Sequence, residues 1–137
     1  MVRYVFDCET NGLLHELDTV HSLVLRDIDD GDIISCSDHD GYESIANGLY
    51  MLSKADVLVG HNVINFDCRA LKKVYKSFKL KKNCKIYDTL IVSRVLWPEL
   101  EPVDHQKFSH IPRKYIGKHS LGAWGERLNV KKINFEG

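Results

Sequence analysis

The sequence predicts an α/β fold: a mixed sheet, built from an antiparallel hairpin plus parallel strands, flanked by helices. Three observations predict it. Strand-like runs at 19–26 and 32–37 are separated by Asp27-Ile28-Asp29-Asp30-Gly31, whose Asp-Gly step suits a tight hairpin turn. Strand and helix patterns then alternate, as they do where parallel strands are joined by helices. Hydrophobic residues at 44% and charged residues at 28% over 137 residues are the balance of one globular domain, expected to span 1–137.

Each element has a local reason. Residues 2–6 are apolar, β-branched or aromatic, and the carboxylates and turn residues of 7–12 follow at once, so a buried first strand is expected there. Between 42 and 54, Ile45, Ala46, Leu49 and Leu52 recur at helical spacing and predict one buried face. Val57-Leu58-Val59 within 56–60 reads as a short, fully buried strand, and 61–66 as the loop after it. A helix is expected from near Asp67, with Cys68, Leu71, Val74, Tyr75 and Phe78 on one face. A last strand at 84–87 precedes a helix bearing Leu90, Val92, Val95 and Leu96, capped by Asp88 or Thr89 and ended by Pro98. Residues 99–118 hold two prolines and no steady period, the pattern of a long loop. Ser120 then offers an N-cap for a helix through Leu121, Trp124 and Leu128.

Nineteen Lys and Arg offset nineteen Asp and Glu, so no global field draws the chain to nucleic acid, and any such contact must be local. The four cysteines form no C-x-x-C pair, and the N-terminus lacks the regions of a signal peptide; reduced thiols in a cytoplasmic setting are expected. No apolar run approaches the roughly eighteen residues of a membrane helix, so no membrane partner is expected.

The chemistry-bearing residues lie at strand ends. Asp7 and Glu9 are two apart on a strand, hence on one face, and two like charges so close call for a cation with oxygen ligands. A solvated acidic turn is the alternative. If the strands of Val2 and Val57 lie side by side and parallel, Asp67 approaches the same crevice; the alternatives are a helix cap for Asp67 and a core aromatic for Phe66.

Phe6-Asp7-Cys8-Glu9-Thr10-Asn11-Gly12-Leu13 resembles the first motif of the DEDD-type 3′-to-5′ exonucleases, and Gly60-His61-Asn62 through Asp67 resembles the second. Tyr87-Asp88-Thr89-Leu90 and 118–125 resemble segments that follow in the same order in phage family A DNA polymerases, so the similarity runs over nearly the whole chain. It implies a ribonuclease H-like fold and a proofreading-type exonuclease acting on single-stranded DNA 3′ ends in a bacterial or phage-infected cell. It further implies that Asp7, Glu9 and Asp67 are catalytic and hold Mg²⁺ or Mn²⁺ in a two-metal site, of which three carboxylates can retain one ion. Thr10, Asn11, Leu13, Asn62 and Phe66 match substrate-touching positions, Leu13 as an apolar wedge against the terminal base. The bland alternatives are a core Leu13 and a turn-forming Asn62. Asp88 reads mainly as a cap.

The family's third motif places a Tyr four residues, or a His five residues, ahead of a final Asp. None of the twelve Asp residues has that neighbour, and none follows Asp104. The expectation is therefore a chain that lacks the last catalytic helix and is weakly active by itself. Its partners would include a polymerase or a complementary C-terminal fragment, and apolar surface left near Leu121 and Trp124 favours self-association. Two other readings stay open: a catalytically inactive module that binds nucleic acid or docks on a polymerase, and an RNA-directed exonuclease. Lys72, Lys73, Lys76, Lys79, Lys81, Lys82 and Lys85 form the densest basic run, read as a solvated face in preference to a phosphate contact.

Overall fold

A computed structural model describes residues 1–130. The chain groups into two compact units, Met1–Thr89 and the residues from Leu90 on.

The first unit carries the sheet. Its strands are β1 (Arg3–Thr10), β2 (Val20–Asp27), β3 (Ile33–Ser37), β4 (Val57–Gly60) and β5 (Lys85–Asp88), in the order β3-β2-β1-β4-β5. The β1–β2 and β2–β3 pairs are antiparallel, while β1–β4 and β4–β5 are parallel, as the hairpin and the later alternation require. The parallel strands β1, β4 and β5 therefore end at one edge, bringing Asp7-Cys8-Glu9, the loop after Gly60, and Asp88 to the same rim.

Strand β1 is longer than its apolar run. It continues through Asp7 to Thr10, burying Tyr4, Phe6 and Cys8 while Val5, Asp7 and Glu9 alternate onto an exposed face. The expected buried first strand is thus half-buried, and so is β4, expected to be fully buried, where Leu58 is buried and Val57 and Val59 are partly open. The core beneath the sheet joins Phe6, Leu23, Leu25, Leu52, Leu58, Leu71 and Phe78.

Helix α1 spans Ile45–Ser53 and begins three residues later than the apolar pattern, because the Ser44 side chain accepts a bond from the Asn47 N–H and caps it. Its buried face is Ile45, Gly48 and Leu52; Ala46 points to solvent. Gly48 is there for space. A Cβ at that position would lie 2.7 Å from Cys36 Sγ and 2.9 Å from a Leu23 methyl. Gly48→Ala gains about 1 kcal/mol of helix propensity but overpacks the helix–sheet contact at about 1–3 kcal/mol, so a net loss is expected in urea unfolding followed by circular dichroism. A gain in stability would contradict this packing.

Residues 63–67 are not a plain loop but a π-helical turn, Val63–Asp67, leading directly into α2 (Cys68–Val74). Helix α2 stops at Val74, so Phe78 reaches the core from the following turn and not from the helix face.

The second unit corrects one element outright. Within the expected loop 99–118 lie α4 (Leu100–Lys107) and a 3₁₀ turn, Arg113–Tyr115. Pro102 sits in the first turn of α4, where a missing N–H costs no intrahelical bond, and Leu100 and Asp104 turn one edge inward. Helices α3 (Thr89–Leu96) and α5 (Leu121–Arg127) match expectation in position, with Ser120 capping α5 through the Ala123 N–H. The buried face of α5 is different, however. Ala123 and Arg127 face inward, whereas Leu121 and Leu128 are 61% and 65% exposed. Arg127 forms a fork with Asp104 at 2.7 and 2.8 Å and also donates to the Lys118 carbonyl at 2.8 Å. Both side chains are fully buried. Among the described residues, no helix is long and apolar enough to cross a membrane.

Candidate active site

Asp67 decides the geometry of the rim. It is 4% exposed, and its carboxylate makes no capping bond to α2. Instead Asp67 Oδ2 accepts the Cys8 backbone N–H at 3.0 Å, across 59 residues of sequence. That bond ties the second motif to the strand of the first, between Asp7 and Glu9. Burial pushes the Asp67 carboxyl above its ordinary range; the bonds from Cys8, and with them the neighbouring Asp7 side chain, hold it down only in part. The Cys8 thiol is pushed up as well, first by burial and then by the charges of Asp67, Asp7 and Glu9.

Of the three expected ligands, Asp67 is thus tied to the strand that carries Asp7 and Glu9, which lie along the exposed face of β1. Among the described residues, no three His, Cys, Asp or Glu side chains form a preformed metal cage. The donor set still fits a hard cation. Mg²⁺ is commonly held by one or two carboxylates, with water and substrate phosphates completing the shell, so a closed cage is not required.

The remaining expected contacts frame the rim. Asn11 is a clamp: its Oδ1 accepts the N–H groups of Asp18 and Thr19 at 3.1 and 3.2 Å, and its Nδ2 donates to Asp18 at 2.7 Å. Thr10 Oγ1 donates to the Gly12 carbonyl at 2.9 Å. Lys73 Nζ holds the Leu14 carbonyl at 2.9 Å, and buried Leu17 anchors the loop below. A loop pinned at these points leaves Leu13 62% exposed, which excludes the core alternative for that residue. Asn62 takes a left-handed conformation at φ 61°, where asparagine is tolerated, and is half-buried together with Phe66.

Two residues of the rim have roles that sequence reasoning missed. Asp88, 3% exposed, accepts the N–H groups of Asn62 and Ile64 at 2.9 and 3.0 Å, so it holds the second motif's loop. His61 Nδ1 lies 2.9 Å from Thr89 Oγ1, which donates to the Gly60 carbonyl at 3.2 Å. With the Thr89 proton so committed, Nδ1 is the donor of that pair. The one available signal was positional: Asp88 ends β5 as Asp7 nears the end of β1.

A mixed five-stranded sheet whose central strand carries Asp7-x-Glu9 beside a parallel neighbour is a ribonuclease H-like fold. The chain carries that fold. In sequence it is 32% identical to a DNA-directed DNA polymerase of Enterobacteria phage T3 and 31% identical to that of Escherichia phage T7, in each case over 96% of this chain. It spans about one fifth of the length of these curated relatives, 20% in both. No family model matches the sequence. Among solved structures, a nuclease in its apo form matches with a TM-score of 0.59 and 20% identity, over 96% of this chain and 54% of that one. The zinc-bound complex of E. coli exonuclease I with single-stranded DNA matches with a TM-score of 0.58 and 14% identity, over 95% and 35%. At these identities the structural likeness is one of fold.

Proposed function

We propose that the chain is a metal-dependent 3′-to-5′ exonuclease domain of the proofreading type, acting on single-stranded DNA 3′ ends in the cytoplasm of a bacterial or phage-infected cell. The observation that carries this reading is the Asp67-to-Cys8 bond, which sets a buried carboxylate against Asp7 where a cap would have faced its own helix. Asp7, Glu9 and Asp67 are the residues that would hold Mg²⁺ or Mn²⁺, which when bound supplies water activation and charge neutralisation for phosphodiester hydrolysis. Leu13 stands out of a braced loop as the wedge for a terminal base, Asn11 and Thr10 keep that loop in shape, and Asn62 and Phe66 line the strand's path. Asp88 keeps the Asn62 loop in register with them.

The test is release of mononucleotides from 5′-labelled single-stranded DNA and RNA, with Mg²⁺, with Mn²⁺ and with chelator. Stepwise shortening of DNA from its 3′ end, absent with chelator, is expected, and faster shortening of RNA would assign the RNA-directed reading. Calorimetric Mn²⁺ uptake is expected to disappear in Asp7→Ala; equal uptake by both proteins would remove the site. A second reading is an inactive nucleic-acid-binding or polymerase-docking module. DNA binding without metal-dependent release would establish it.

A further inference from the structure

The charges of the chain balance overall but are segregated along it. Residues 1–67 carry thirteen Asp or Glu against three Lys or Arg, whereas residues 68–87 carry eight Lys or Arg and no acid. That basic segment folds as α2, the turn after it and the start of β5, and all eight cationic residues are exposed. Two of them are committed within the fold: Lys73 to the Leu14 carbonyl and Lys81 to Asp56 at 2.5 Å. Among the described residues, none of the other six makes an ion pair.

Three of the unpaired lysines meet at one place. Lys72, Lys79 and Lys82, with Cys68, Phe78 and Leu80, line a cleft of about 460 Å³. Phe78 and Leu80 pack against the core and give the cleft a fixed apolar floor, so the ammonium groups rise from a rigid base. The cleft adjoins the candidate active site, because Cys68 directly follows Asp67 at the head of α2. Gathering like charges without a counter-charge is unfavourable unless a polyanion completes the surface. Lysines are point charges on flexible stems, suited to phosphates spaced along a strand, whereas a single planar carboxylate is better met by the fork of an arginine.

We propose that the Lys72–Lys79–Lys82 cleft binds the phosphate backbone of a nucleic-acid strand, without regard to base sequence, as a second contact beside the candidate active site. This rests on the exonuclease reading for its purpose, and names the path of the strand away from its 3′ end. The binding itself is measurable without cleavage. The acidic surface of residues 1–67 repels a polyanion elsewhere and leaves the basic face as its landing place.

The experiment is fluorescence anisotropy of a labelled oligothymidylate with the whole chain, in chelator, from low to moderate salt. Replacing Lys72, Lys79 and Lys82 together by Ala is expected to weaken low-salt binding by about tenfold or more. It should also reduce the slope of log K against log[salt] by about 2, at roughly 0.7 for each phosphate of a single strand that is no longer neutralised. The triple replacement by Arg keeps charge and is expected to keep both affinity and slope, which separates the charge from the fold. An unchanged affinity and slope in the Ala protein overturns the proposal. So does a failure of the unsubstituted chain to bind at low salt, and so does displacement of the oligonucleotide by polyglutamate at equal charge, which would assign the cleft to an acidic protein. Nucleotide release measured on the same proteins keeps the two readings apart. Cleavage with an unchanged slope removes this proposal alone, and a changed slope with no cleavage removes the exonuclease reading alone.

Discussion

Replacing Asp67 by Asn is expected to slow single-turnover cleavage of single-stranded DNA by about 10²- to 10⁴-fold, the range that one positioned catalytic group contributes. The side chain keeps its shape and can still accept the Cys8 N–H, so the tie between the two motifs survives. What disappears is a charge held in a buried place. Burial raises the Asp67 carboxyl, and the folded state therefore binds its proton more tightly than the unfolded chain does. For such a group the stabilising contribution is full below the ordinary carboxylate value of 3.8 and is lost as pH rises through the raised value. In chelator at neutral pH, Asp67→Asn should then melt no lower than the unsubstituted protein, and its stability should depend less on pH across that window. Thermal melts at several pH values, beside the cleavage assay, check both halves. A variant that is fast, or one that is unfolded, would show that Asp67 is a structural residue.

Replacing Asp104 by Ala is expected to destabilise the second unit by about 3–5 kcal/mol, the cost of leaving one member of a buried pair without its counter-charge. The Arg127 guanidinium would keep the Lys118 carbonyl but lose both carboxylate bonds, and the Gly117 N–H would lose its acceptor. Both tryptophans, Trp97 and Trp124, lie in this unit, and Arg127 packs 4.7 Å from the Trp124 ring, so Trp fluorescence in urea reports on it directly. Changing Asp104 to Leu and Arg127 to Met together should recover most of the loss, because no unpaired charge then remains. A cost below about 1 kcal/mol, the worth of an exposed pair, would contradict the burial. The bonds from Arg127 hold the Asp104 carboxyl below its ordinary 3.8, so this stabilisation is full above that value and fades as pH falls through the depressed one.

Much of the fold was legible because its signals are local. The Asp-Gly hairpin turn, the strands near 20–27, 33–37, 57–60 and 85–88, and the Ser120 cap follow from turn chemistry, alternation and capping within a few residues. The segment holding α4 was illegible for a physical reason. Its inward edge is Leu100 and Asp104, and a buried Asp has no apolar signature until its partner Arg127 is known. The same holds for α5, where Arg127 occupies the buried position that an apolar pattern would give to Leu128.

By itself the sequence determined that an α/β sheet would carry Asp7, Glu9 and the Asp67 loop toward its strand ends, because strand period and chain order are properties of neighbouring residues. Only the tertiary structure decided what those carboxylates do there. Asp67 turns from its own helix to Cys8, 59 residues away; Asp88 clamps backbone 24 and 26 residues earlier; and Asp104 meets Arg127 across 23. Each of these partners is chosen by desolvation, since a carboxylate taken from water must find donors wherever the folded chain presents them. No pattern within a few residues encodes that choice.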